Sequence, residues 1–154
     1  MKNKFGFILV NPQLGENIGA SARSLKNFGF SKLHIVSPTL PWPNNKAKAT
    51  SVGAYDIIKR AKVFNNTYDA IKDFNIVVSF SARKRDINKR HISINEFLKI
   101  IKSKKKTKFG LMFGPEASGL SNDDLSLSNF VLQIPTSKKF KSLNLSHSIT
   151  VISY

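Results

Sequence analysis

The run Phe5-Gly-Phe-Ile-Leu-Val10, followed by Asn17 to Phe28 and then by Leu33-His-Ile-Val36, sets the architecture of this chain. The first run is apolar throughout, as a strand covered on both faces requires. From Asn17 the period changes: Ile18, Ala22, Leu25 and Phe28 fall on one helical face, and Gly29 follows at a position that ends helices. Leu33 to Val36 restarts the strand pattern. Ser37-Pro-Thr-Leu-Pro-Trp-Pro43 reads as a loop, because three prolines have no place in a central strand. Downstream, Ala47 to Ala61 reads as a helix interrupted at Gly53, Val63-Phe64 as a short strand and Thr67 to Lys72 as a short helix. Asn75 to Phe80 is a β-branched strand. Ser93-Ile-Asn-Glu96 is a capping box opening a helix to about Lys102. Lys108 to Phe113 and Phe130 to Ile134 are further strands, Ser121-Asn-Asp-Asp124 caps a short helix, and Asn144 to Tyr154 is the last helix. Strands alternating with helices predict an α/β fold, a mostly parallel sheet flanked by helices.

The 154 residues suit one domain, residues 1–154. Area scaling gives a folded surface of roughly 7,800 Å² against about 25,000 Å² unfolded, enough burial for a core without staples. A hydrophobic content of 41% with 12 Phe argues against disorder. The absence of Cys excludes disulfides, a thiolate nucleophile and a zinc-thiolate site. His34, His91 and His147 are too scattered for a local metal motif, so no metal site is expected. No apolar run approaches the ~20 residues of a membrane span, and Met1-Lys-Asn-Lys opens no signal peptide. The expectation is a soluble, cytoplasmic protein. The chain stops inside its last helix without a C-cap, which suggests a missing tail or a partner surface there.

Lys+Arg number 25 against 9 Asp+Glu, a net charge of +16. The excess of Lys over Arg, with abundant Asn, Ile and Phe, is also what AT-rich coding produces. Even so, the field of such a domain attracts polyanions, and nucleic acid is the favoured partner over an anionic membrane, since no basic amphipathic helix stands out. Lys102-Ser-Lys-Lys-Lys-Thr-Lys108 is a basic turn between a helix and a strand.

In open α/β sheets the useful loops lie past the carboxyl ends of strands. Three here carry more than a connection needs. In Asn11-Pro-Gln-Leu-Gly-Glu-Asn-Ile-Gly-Ala-Ser-Ala-Arg23, Asn17 is placed to cap the helix, Gly19 and Ala20 allow a close backbone approach, and Arg23 shares their face. In Phe113-Gly-Pro-Glu-Ala-Ser-Gly-Leu-Ser121, Gly114 ends a strand, Gly119 precedes a helix, and Glu116 is placed to accept from loop amides. In Ile134-Pro-Thr-Ser-Lys-Lys-Phe-Lys-Ser-Leu-Asn-Leu-Ser146, Ser142 or Asn144 can cap the last helix, and the small polar groups alternate in a way that also suits a ligand edge. None is a P-loop or a dinucleotide fingerprint.

Together the three loops resemble the three motifs of the SPOUT RNA methyltransferases, in the SpoU/TrmH branch. Asn17-x-Gly19-x-x-x-Arg23 is similar to motif one, Phe-Gly-Pro-Glu-Ala-Ser-Gly-Leu to motif two, and Ile-Pro-Thr…Ser-Leu-Asn-Leu-Ser to motif three. The opening Ile-Leu-Val-Asn-Pro, Val52-Gly-Ala-Tyr-Asp56 and Ser79-Phe-Ser-Ala-Arg83 are most similar to the TrmJ group of tRNA 2′-O-methyltransferases. The resemblance runs through nearly the whole chain.

It implies a SPOUT fold with a C-terminal trefoil knot, a homodimer packed through the knot region, and S-adenosyl-L-methionine as cofactor. The implied cofactor residues are Phe80, Ser81, Ala82, Gly114, Gly119, Ile134, Lys141, Ser142 and Leu143. The implied catalytic set is Arg23, Asn17, Glu116, Ser142 and Asn144. Arg23 approaches the cofactor bound by the other protomer, Ser142 and Asn144 orient the ribose or the methionine end, and Glu116 braces its loop. The implied substrate is tRNA, methylated at the pyrimidine ribose that opens the anticodon loop, position 32. Alternatives are a ribosomal RNA or tRNA D-loop enzyme and, from another class, an inactive knotted RNA-binding module. Arg83, Lys84, Arg85, Lys104, Lys105, Lys106, Lys138, Lys139 and Lys141 are the expected phosphate contacts. Two departures from the group are expected: the C-terminal extension that the group carries beyond its knot is apparently absent, and Pro115 replaces the polar or basic residue more usual there.

Overall fold

The computed structural model describes residues 2–83 and 88–154. Phe5–Val10 forms β1, buried at all six positions. Successive side chains point to opposite faces: Phe7 and Leu9 enter one apolar cluster, Ile8 and Val10 the other. This is why the run shows no alternation in sequence. Helix α1 (Gly15–Asn27) returns along the first face with Ile18, Ala22 and Leu25 inward. Then come β2 (Leu33–Val36), α2 (Asn45–Ser51), a 3-10 turn (Val52–Ala54), α3 (Tyr55–Arg60), β3 (Lys62–Phe64), α4 (Thr67–Ile71) and β4 (Ile76–Phe80). The second half adds β5 (Arg90–Ile92), α5 (Ile94–Ser103), β6 (Phe109–Phe113), α6 (Asn122–Ser126), β7 (Phe130–Leu132) and α7 (Leu145–Ser153).

Seven strands form one sheet in the order β3-β2-β1-β6-β4-β7-β5, and every pairing among the described residues is parallel. Helices α1, α2, α3, α5 and α7 contribute to the first cluster, and α4 and α6 to the second. All carboxyl ends of the strands therefore share one edge. The insertion of β6 between β1 and β4 puts the loops after β1, β4, β6 and β7 side by side there, at a topological switch point.

The capping boxes at Ser93/Glu96 and Ser121/Asp124 both form. Several expectations need correction. Strand β5 adds to the expected strands; only Ile92 of its three residues is buried, so it carries no period to detect. The break between α2 and α3 puts positive φ on Val52 (49°), with Gly53 merely following. The cap of α1 is Leu14, which makes no side-chain cap bond; Asn17 lies inside the first turn and is 8% exposed. The close approach permitted by Gly19 is to α2: a Cβ there would collide with Thr50 Oγ1 and the Ala47 carbonyl.

Candidate functional site

Past the carboxyl ends of β4, β6 and β7 lies a cleft of about 540 Å³. Its walls come from the segment after β4, from the second and third loops read in the sequence, and from the start of α7; the first loop contributes no lining residue. All nine residues that the resemblance assigned to the cofactor line it: Phe80, Ser81, Ala82, Gly114, Gly119, Ile134, Lys141, Ser142 and Leu143. Phe80 and Phe113 also face it, stacked with ring centroids 4.6 Å apart and planes 4° from parallel. Arg83, Lys141 and Glu116 are its charged lining residues. The volume is in the range of small-molecule sites.

Gly114 has a structural reason to be glycine. A Cβ there would strike the Gly119 carbonyl carbon and the Leu120 amide, so only glycine lets the second loop fold back on itself.

The catalytic set divides. Glu116 accepts hydrogen bonds from the Gln13 amide at 2.8 Å, the Leu14 amide at 3.2 Å and Asn17 Nδ2 at 3.0 Å. The amides expected from its own loop are thus supplied by the first loop. Asn17 Oδ1 in turn accepts from Asn144 Nδ2 at 3.0 Å. Asn144 Oδ1 accepts from the Ser146 amide at 2.9 Å and Ser146 Oγ at 2.7 Å, capping α7. One polar chain, Glu116–Asn17–Asn144, therefore ties the three loops together, and Gln13 Oε1 adds a bond from the Ala117 amide at 2.8 Å. Asn144, expected to orient the ribose or the methionine end, has its carbonyl oxygen engaged by the helix cap. Ser142 is exposed on the cleft wall, and its hydroxyl has no hydrogen bond to another described residue.

Arg23 is not among the lining residues. It is exposed on α1 with no ion pair or hydrogen bond among the described residues. Its neighbour Ser24 joins α1 to α7 through a 2.6 Å bond to Thr150 Oγ1.

The expected phosphate contacts also divide. Lys138 and Lys139 are exposed in the third loop, and Arg83 and Lys141 line the cleft. Lys104, Lys105 and Lys106 precede the amino end of β6, at the opposite edge of the sheet. Lys84 and Arg85 lie outside the described residues. Sequence reasoning missed the bracing role of Gln13 and passed over Phe140, 74% exposed beside Lys139 and Lys141; an aromatic among lysines is the signal that marked it. Among the described residues no group of His, Asp and Glu could hold a metal, and no helix is long and apolar enough to cross a membrane.

A profile of the SpoU rRNA Methylase family matches residues 4–154. The tRNA (cytidine-2′-O-)-methyltransferase TrmJ of Methanocaldococcus jannaschii is 38% identical over 96% of this chain and 64% of its own length. The tRNA (cytidine/uridine-2′-O-)-methyltransferase TrmJ of Sodalis glossinidius is 36% identical over 100% of this chain and 60% of its own length. This chain thus spans less than two-thirds of the length of these relatives. The crystal structure of TrmJ from Z. mobilis ZM4 superposes with a TM-score of 0.91 at 36% identity, covering 97% of this chain and 66% of that one. AviRb from Streptomyces viridochromogenes, solved with AdoMet, shares the fold with a TM-score of 0.75 at 18% identity, covering 100% of this chain and 57% of that one. With its three loops in the family's order and its sheet superposing on the family's structures, the chain belongs to the SpoU methylase family.

Proposed function

We propose that this chain is a methyltransferase domain that moves a methyl group from S-adenosyl-L-methionine to a ribose 2′-hydroxyl of RNA. The proposed substrate is tRNA, at the pyrimidine that opens the anticodon loop, position 32, in the cytoplasm. The observation that carries this reading is the chain Glu116–Asn17–Asn144. It ties the second and third loops, which wall the cleft, to the first loop behind them, and that cleft is lined by all nine residues that the family resemblance assigns to the cofactor. The names of the TrmJ relatives support tRNA and 2′-O-methylation.

S-adenosyl-L-methionine supplies an activated sulfonium methyl. The stacked pair Phe80 and Phe113 offers an apolar floor, and Gly114, Gly119, Ile134 and Leu143 shape the walls. A 2′-hydroxyl is a poor nucleophile near neutral pH, so it must be held in line and stabilised as its oxygen becomes anionic. Arg23 is suited to this: a guanidinium is permanently charged and can span a phosphate and the 2′-oxygen. For the same reason it is not the base, and the proton passes to solvent or phosphate. Ser142, with its hydroxyl free on the cleft wall, orients the ribose or the methionine end.

Arg23 lies outside the cleft of its own chain, which fits a homodimer in which it serves the partner's cleft. Leu14 and Val151, 51% and 47% exposed, and Tyr154, 98% exposed, provide apolar surface for that contact. The proposed trefoil knot is supported by the way β7 enters between β4 and β5.

Transfer of labelled methyl from the cofactor to tRNA, with mapping of the modified ribose, tests the reading. Modification of ribosomal RNA or of the D-loop in place of position 32 would shift the substrate within the family. Absence of cofactor binding in calorimetry would replace the enzyme with an inactive RNA-binding module.

A further inference from the structure

Because the strands are parallel, their amino ends share the edge opposite the cleft, and that edge is cationic. Lys62 opens β3, while Lys32, Lys4 and Lys108 immediately precede β2, β1 and β6, four neighbouring strands of the sheet. Strands lie about 4.8 Å apart, so this row extends about 14 Å. Lys104, Lys105 and Lys106 continue it on the connection into β6.

Lys32 and Lys62 converge with Arg60 on a small pocket of about 80 Å³, walled by Leu33, His34, Asp73 and Phe74. Asp73 is the single carboxylate in that lining, and Arg60 also pairs with Asp56 at 2.7 Å. Lys32 Nζ sits 5.7 Å from the centre of the Phe74 ring, and Lys4 Nζ 5.3 Å from those of Phe5 and Phe109. The ammonium groups themselves thus sit over ring faces, and that of Lys4 also donates to the Ile101 carbonyl at 3.4 Å.

Cations in the last turn of a helix offset its dipole, which accounts for Lys26, Arg60 and Lys102. It also accounts for Lys4, whose Nζ donates to the Ile101 carbonyl in the last turn of α5, but not for Lys32, Lys62 and Lys108, which stand on or before strands whose net dipole is small. None of these three has an ion pair among the described residues.

We propose that this edge is a second RNA-contact surface, gripping backbone phosphates of an RNA arm outside the cleft, with one phosphate seated between Lys32, Arg60 and Lys62. The proposal rests on the reading of RNA as substrate. A row of point charges with a phosphate-sized pocket matches a polymer that presents phosphates at intervals. About 17 Å of strand separate this edge from the cleft. A short stem-loop engaged at the cleft leaves the edge bare, whereas a whole tRNA extends far enough to reach it.

The test is equilibrium binding of full-length tRNA and of an isolated anticodon stem-loop, without cofactor, at several salt concentrations, to wild type and to Lys32→Glu/Lys62→Glu. The double variant is expected to bind tRNA about tenfold or more weakly. Its slope of log K against log salt should be shallower by about 1.4 to 1.8, for two lost contacts at 0.7 to 0.9 each. Stem-loop affinity, cofactor affinity and melting temperature should stay at wild-type values. Lys32→Gln/Lys62→Gln, which introduces no carboxylate, should move tRNA affinity and slope the same way by less, and serves where the charge reversal does not fold. Unchanged tRNA affinity and slope in a folded variant overturns the proposal. So does equal loss on the stem-loop, or binding of phosphatidylserine vesicles through these lysines with tRNA affinity intact. Edge-dependent tRNA binding by a wild type that methylates no ribose supports this surface and overturns the activity instead.

Discussion

Asn17 Nδ2 donates to Glu116 across 3.0 Å, joining the start of the first helix to the loop after β6, residues 99 positions apart in the chain. Asn17 is buried and amphoteric, so its oxygen remains available for Asn144 Nδ2. An amide is the side chain that can donate to a carboxylate on one side and accept from an amide on the other. Asn17→Asp removes the donor and sets a second carboxylate against Glu116. Asn17→Ala leaves Glu116 and Asn144 each short of a partner. Either change should cost about 1–3 kcal/mol, the scale for a buried polar group left unpaired. Chemical denaturation measures the loss of stability, and calorimetry should show cofactor affinity falling with it. Wild-type cofactor affinity in Asn17→Asp would separate the bracing chain from the cleft.

Arg23 tests the division of labour between protomers. Arg23→Ala should leave cofactor affinity near wild type while methyl transfer falls about 10²-fold or more, the scale for losing one charge-stabilising donor. Gly114→Leu should do the opposite: its side chain strikes the Gly119–Leu120 backbone and forces the second loop open, so cofactor affinity falls while Arg23 stays intact. A verified mixed dimer of the two variants holds one complete site, so it should recover up to about half of wild-type turnover. A monomer in sedimentation, or no recovery in the mixed dimer, would put Arg23 at work in its own chain.

Gly19 sets the spacing of α1 and α2. Gly19→Ala forces a methyl group into Thr50 Oγ1 and the Ala47 carbonyl, and the backbone contact has no flexible end to yield. The expected destabilisation is about 1–3 kcal/mol despite alanine's higher helix propensity. A lower urea midpoint at unchanged slope is the predicted readout. A raised midpoint would show that the helices separate freely.

His34 makes stability depend on pH. Burial between Phe64 and Phe74 holds its imidazole below the ordinary value near 6.5, outweighing the hydrogen bond with the Ala70 carbonyl. Between the folded and unfolded values the unfolded chain binds the extra proton, so stability rises with pH through this window. It is lost as pH falls from about 6.5 toward the folded value. Glu16, Asp56, Asp69 and Glu96 all titrate below their ordinary values and so contribute at lower pH. Melting temperatures between about pH 5 and 7 should fall on acidification, and His34→Phe should flatten that dependence. An equal slope in His34→Phe would assign it elsewhere.

The local pattern of the chain determined the parallel α/β class, both capping boxes and the three loops, because strand period, cap chemistry and glycine placement act over a few residues. It also gathered the cleft residues once the motifs were aligned with a family. What it missed depends on partners distant in sequence. Asn17 looked like a cap because its local role is all that neighbouring residues specify, and its bonds to Glu116 and Asn144 exist only after β6 inserts beside β1. Edge strand β5 was invisible because one buried residue sets no period; it forms by pairing with β7. The basic turn before β6 and the cleft lysines look alike in sequence because both are lysine runs. The direction of the strands sends one to the carboxyl edge of the sheet and the other to the amino edge. Spacing along a chain fixes which residues share a helix face or a strand face, and only the order and direction of the strands decide which loops meet.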